Sequence, residues 1–222
     1  MMADTMLLAC SAMETYIRAA QERVGTAYPV VYVDKTYHEQ PKEMRLQLIK
    51  ALEELPEEVH TVLVAMGFCG GAWEAVSTKR RLVIPKVDDC VTLLLYREET
   101  GHRAQKEMGH LYLTDHASDI FAPEAIYQKY CEQFDQETAR MLLDMYFEHY
   151  TTVDVVDTGV WDCRAEDCRR EAEKNAELIH CRLQYVPGSN RMLERLLSGQ
   201  WDDLFWVLEP GEMLQNDAVS EL

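Results

Sequence analysis

Three thiols and an imidazole stand out in this chain. Cys10, His38, Cys69 and Cys90 are the soft donors that a tetrahedral zinc ion takes, and the thiolates suit an iron–sulfur cluster equally well. They lie 28, 31 and 21 positions apart, so no local finger motif holds them and only a fold can bring them together. A second chemistry overlaps the first. Gly67-Phe-Cys-Gly-Gly71 has the Gly-x-nucleophile-x-Gly form of a strand-to-helix elbow. Cys69 is then a candidate thiolate nucleophile, activated by a base and by the helix N-terminus. The bases that follow it, Asp115-His116 and His149, match that plan only loosely. Gly67, Gly70 and Gly71 with Asp88 and Asp89 are expected to line the same pocket, the two aspartates either capping a helix or standing as rim carboxylates.

The elements that must position these residues follow from periodicity. Met6–Cys10 is a short apolar strand, and Ala12–Val24 reads as a helix with Ser11 as its N-cap. Pro29–Asp34 is β-branched and aromatic, and Pro41–Leu55 carries Met44, Leu48, Ile49 and Leu52 at helical spacing. Thr61–Met66 is a buried strand running into the glycine turn, with a helix expected from Ala72 to Val76. Arg81–Pro85 is a fourth strand, Cys90–Tyr96 a helix and His110–Thr114 a fifth strand of the same plan. Alternating strands and helices imply an α/β fold, a mainly parallel Rossmann-like sheet with helices on both faces. Such sheets bind ligands outside the carboxyl ends of their strands. Cys10, His38, Cys69 and Cys90 each follow one of four successive strands, which puts them on one rim. A lone cysteine is by default a small core hydrophobe; the coincidence of four strand ends is what points to a metal.

Beyond that, Pro123–Tyr150 reads as one long or broken helix, Val153–Val156 as a strand, Glu166–Leu183 and Met192–Leu197 as helices, and Leu204–Leu208 as a final strand. The expected division is 1–118, an α/β metal-site domain, and 119–222, a helical and α/β part that either completes the same sheet or forms a second, smaller lobe.

The balance of 22 Lys+Arg against 39 Asp+Glu, a net charge of −17, argues against nucleic acid and anionic membranes as partners. Lys79-Arg80-Arg81 is a basic triplet best read as a solvated loop. No apolar run suggests a membrane span or a signal peptide, which makes the cytoplasm the expected compartment. Seven cysteines are many for a reducing compartment, and the odd number fits a disulfide framework poorly. Cys131, Cys163, Cys168 and Cys181 read as incidental surface or core thiols, and His60 and His102 as surface residues; His110, His116, His149 and His180 carry no spacing argument. Met141 and Met145 read as helical core rather than an adaptable surface. Four tryptophans on an acidic chain permit a homodimer without demanding one.

Leu-Leu-Ala-Cys10, His38-Glu-Gln-Pro41, Met66-Gly-Phe-Cys-Gly-Gly71, Leu82-Val-Ile-Pro-Lys-Val-Asp-Asp-Cys90 with Leu93-Leu-Leu95, Leu111-Tyr-Leu-Thr114 and Gly199-Gln-Trp-Asp202 with Pro210-Gly211 together resemble domain-of-unknown-function family 1638. The resemblance covers most of the chain and departs from the family after Thr114, where Asp-His-Ala replaces a Gly-Trp-like pair. It implies a place beside corrinoid-dependent methyltransferase systems. The reading is therefore a cytoplasmic Cys3His metalloprotein, with zinc as the metal and an iron–sulfur cluster as alternative. Its role would lie in corrinoid-dependent methyl transfer or one-carbon metabolism, with a corrinoid protein or methyltransferase as partner and the corrinoid as a further cofactor. Two alternatives stay open: a non-enzymatic metal, corrinoid or methyltransferase-binding accessory protein, and a Cys69-dependent hydrolase.

Overall fold

The computed structural model describes residues 4–97, 106–115 and 120–214. The chain divides into two compact units, Met1–Ala104 with Asn190–Leu222, and Gln105–Ser189.

The first unit is an α/β sheet. β1 (Thr5–Cys10) leads through a 3-10 turn, Ser11–Met13, into α1 (Glu14–Val24); β2 (Val30–Val33) leads through a second 3-10 turn, Lys35–Glu39, into α2 (Pro41–Glu53). β3 (Thr61–Ala65), β4 (Arg81–Pro85) and α3 (Cys90–Leu95) follow, and the chain returns after residue 189 with α7 (Arg191–Ser198) and β8 (Phe205–Leu208). The strand order is β2-β1-β3-β4-β8. The first four strands are parallel, and β8 closes the edge antiparallel to β4, with Leu82 opposite Leu208 and Pro85 opposite Phe205. Leu7, Leu8, Ala9 and Cys10 are all fully buried, as are Val62–Ala65 and Leu82–Ile84 to within 1%. Consecutive buried residues on a strand mean that both faces are covered, the mark of a parallel sheet between layers.

The second unit holds β5 (His110–Leu113), α4 (Pro123–Gln133), α5 (Gln136–Tyr146), β6 (Thr152–Asp157), α6 (Glu166–Leu178) and β7 (Arg182–Pro187). Its sheet is parallel, in the order β5-β6-β7. Leu113, Val153 and Val155 point to a core completed by Leu143, Phe147, Ala172, Ala176 and Ile179. On the other face of β6, Thr152 and Asp154 are buried polar residues beside Val156. Asp154, 1% exposed, accepts from Gln184 Nε2 at 2.7 Å and lies 2.7 Å from His110 Nδ1.

Several expectations change. β5 belongs to this second sheet and not to the first, because it pairs with β6. The helix expected over Ala72–Val76 is a series of turns, since Gly70, Gly71 and Ala75 all take positive φ. The segment 123–150 takes the broken form of the expected helix, two helices interrupted at Phe134-Asp135, where both residues are extended and Asp135 caps α5 by accepting from the Thr138 N–H. α6 stops at Leu178, and His180 turns the chain with φ +57 into the unanticipated β7. Met141 and Met145 are 54% and 65% exposed, outside any core. The basic triplet is no open patch. Arg80 donates to the carbonyls of Leu52, Leu55, Pro56 and Val59 at 2.7–3.1 Å, closing the carboxyl end of α2, and Arg81 pairs with Glu209.

Among the described residues no helix is long and apolar enough to cross a membrane. Removing the Asp154 carboxylate strips a partner from two half-buried side chains, Gln184 and His110. Asp154→Ala is expected to lower unfolding free energy by about 2–4 kcal/mol, measured by urea denaturation, with Asp154→Asn losing less.

Candidate metal centre

The rim is built by four loops, each tied down by local chemistry. β1 is flanked by β2 on one side and β3 on the other, so the chain switches direction at Cys10, the position where open α/β sheets bind ligands. Ser11, instead of capping a helix, accepts from the Lys35 N–H at 3.0 Å and ties the end of β1 to the turn that carries His38. That turn is capped by Asp34, whose carboxylate accepts from Thr36 N at 2.8 Å and Thr36 Oγ1 at 2.6 Å. These two bonds hold the Asp34 carboxyl below its ordinary range. Gln40, at φ −137 and ψ 83, lies outside the helical region and Pro41 opens α2, as a residue before proline and a proline at the first helical position prefer.

The loops after β3 and β4 fit closely together. Phe68 and Cys69 donate their N–H groups to the carbonyls of Val87 and Asp88 at 2.9 and 2.7 Å. A Cβ on Gly67 would lie 2.5 Å from the Asp89 backbone, so only glycine fits there. Asp89 caps α3 through the Thr92 N–H at 2.9 Å, which places Cys90 as the first helical residue. Gly70 and Gly71 have φ +67 and +90, and Cys69 itself φ +49, a strained value for a residue with a side chain. Arg45 on α2 fixes the far end of this loop, donating to the Gly71 carbonyl at 2.6 Å and to Glu74 at 2.9 Å. No sequence signal marked Arg45.

These restraints bring three of the four expected donors together. Cys10, His38 and Cys90 have ligand atoms within 4.8 Å of one another, and Cys10 Sγ is 3.3 Å from His38 Nε2. Around a tetrahedral zinc ion the sulfur–nitrogen separation is about 3.6 Å and the sulfur–sulfur separation about 3.8 Å. The donors therefore already stand near ligating distances. Cys69, 8% exposed, neighbours the Cys90 thiol but lies outside the close three-atom group. All seven cysteines are free thiols.

The electrostatics fit a cation. The hydrogen bond with Cys90 and burial push the Cys10 thiol far above its ordinary value of 9.0, against the pull of His38. At Cys90 the bond to Cys10 lowers the pKa, but Cys69 and desolvation outweigh it and the net shift is strongly upward. Such thiols stay protonated without a metal, and a bound cation would reverse this by making them thiolates.

The remaining candidates separate clearly. Cys163 is 3% exposed in the second unit's core, Cys131 is exposed, and Cys168 and Cys181 are half-buried. His60 is exposed. His102 and His116, with the Asp115-His116-Ala departure, lie on or run into 98–105 and 116–119, outside the described residues. The hydrolase reading asked for a helix after the Cys69 turn, and turns stand there instead, so no helix dipole follows to activate that thiol. The His110–Asp154 pair, for which the spacing gave no hint, appears only once β5 and β6 are paired.

Residues 32–197 match the family model described as "Protein of unknown function (DUF1638)". The match takes in His38, Cys69 and Cys90, while Cys10 precedes it. Comparison with curated proteins and with solved structures found no match.

The folded pKa values of Cys10 and Cys90 exceed their unfolded ones. The resulting stability is complete below the unfolded value near 9.0 and is lost as pH rises through the folded values. The metal-free, reduced protein is thus expected to melt at lower temperature as pH is raised from about 8 to about 10.5, followed by circular dichroism. Cys10→Ser is expected to flatten that slope.

Proposed function

The chain belongs to the DUF1638 family, and we propose that it is a zinc-thiolate protein that activates a substrate thiol for methyl transfer. The observation that carries this reading is the close group of Cys10, His38 and Cys90 at the rim of a parallel sheet. Three protein ligands stand together here, which leaves a fourth position to Cys69 or to a substrate thiol. Cys69, beside the Cys90 thiol but outside the close group, would be the fourth donor of the resting site. Its loop is held by Arg45 and by backbone bonds to residues 87–88, and a substrate thiol would take its place there.

Zinc supplies one thing here: it holds a bound thiol as the more nucleophilic thiolate at neutral pH. Cys10, His38 and Cys90 would hold the ion, and a thiol bound there would lose its proton to solvent and supply the nucleophile for a methyl group carried by a corrinoid donor. The corrinoid donor is suggested by the family resemblance, which sets such chains beside corrinoid-dependent methyltransferase systems. A corrinoid protein is accordingly the expected partner, and the loops bearing Gly67, Gly70, Gly71, Asp88 and Asp89 would meet it.

The test is elemental mass spectrometry with an ultraviolet–visible spectrum on anaerobically purified wild type and Cys90→Ser. About one zinc per chain, lost in the variant, is expected. Iron with sulfide absorption would redirect the role to electron transfer, and no metal in either protein would overturn the site. Cobalt substitution reads the ligand set: Cys69→Ser is expected to retain cobalt but lose part of the thiolate-to-metal absorption. Zinc-loaded protein that forms no thioether from a methylcorrinoid and a thiol would leave a binding role in place of catalysis.

A further inference from the structure

α5 carries two apolar faces where a surface helix needs one. Ala139, Leu143 and then Phe147, four residues apart, are buried, with Leu143 and Phe147 part of the second unit's core. Met141 and Met145 lie two residues further on from Ala139 and Leu143, about 200° around the helix, and are 54% and 65% exposed. This second stripe contributes nothing to the core of its own unit. Methionines on a surface offer a polarisable, adaptable contact for another protein's side chains.

The rim states the partner's charge. Met141 and Met145 line a shallow groove of about 470 Å³ with Glu137, Asp144, Glu148 and Arg140. Arg140 is committed: it donates to Asp144 at 2.6 and 3.1 Å and to the Leu178 carbonyl at 2.8 Å, and lies 2.9 Å from His180 Nε2. Among the described residues no cation pairs with Glu137 or Glu148. A second copy of this chain is a poor occupant, because a twofold axis would set these acids against their own copies and add to the repulsion of two chains of charge −17. We propose that the outer face of α5 docks an amphipathic helix of a partner protein, apolar along one side and flanked by lysine or arginine. This surface is independent of the metal reading.

The probe is a synthetic fourteen-residue leucine–lysine peptide with an apolar stripe at helical spacing, fluorescently labelled and titrated with the full chain at physiological ionic strength. A scrambled peptide of the same composition, lacking the stripe, is the comparator. The wild type is expected to bind the amphipathic peptide and to bind the scrambled one at least tenfold more weakly. Met141→Gln/Met145→Gln, which changes exposed side chains and no charge, is expected to weaken binding at least tenfold, and Met141→Leu/Met145→Leu to retain it. Glu137→Gln/Glu148→Gln is expected to weaken it and reduce its salt dependence. No binding by the wild type overturns the proposal, as does equal affinity for the two peptides or an unaffected Met→Gln variant, either of which means bulk charge attraction alone. A dimer in sedimentation that the Met→Gln variant dissolves also overturns it, because the face is then covered by a second copy.

Discussion

The parallel pairing of β1 between β2 and β3 is the constraint on which the rest depends. It brings Leu7 level with Val30 on one side and Leu63 on the other, so the carboxyl ends of three strands finish together at Cys10. The donors come from loops far apart in sequence. Their convergence is a property of strand register, and a one-residue slip would turn every side chain of β1 to the opposite face. Burial on both faces makes such a slip costly and keeps the rim fixed.

Around that register the loops divide the work. The turn bearing His38 is held by Asp34 and Ser11, and the two loops bearing Cys69 and Cys90 are held against each other by backbone bonds and by the bare Cα of Gly67. Strain gathers at Cys69, whose left-handed backbone is imposed by its neighbours. Two thiols that resist ionisation, one buried and one half-buried, sit beside an imidazole, an arrangement suited to a cation.

Much of the first unit was legible because β-branched apolar runs bounded by turn residues are unambiguous, and because parallel strands end on one side. The same logic placed Cys10, His38 and Cys90 together. It failed where local rules gave way to tertiary restraints. Ala72–Val76 has helical composition, yet Arg45 and three positive-φ residues hold it as turns. β7 went unseen because His180, not a glycine, closes α6 in the left-handed region. Met141 and Met145 follow helical spacing, but spacing reports that a helix has an apolar face and not which way that face is turned. Asp154 and His110 lie 44 positions apart and meet only through sheet pairing.

The first sheet is completed by β8, from the far end of the chain, after the whole of the second unit has intervened. During synthesis β4 therefore waits with an open hydrogen-bonding edge while more than a hundred residues are added. The second unit, contiguous from Gln105 to Ser189, is free to fold in that interval. A long-range closure of this kind slows the last step of assembly and leaves the nascent sheet open to mispairing. Chains cut short before residue 205 would carry that edge permanently. The order of emergence from the ribosome is thus written into the strand order, with the loops of the candidate centre synthesised early and the strand that seals their sheet last.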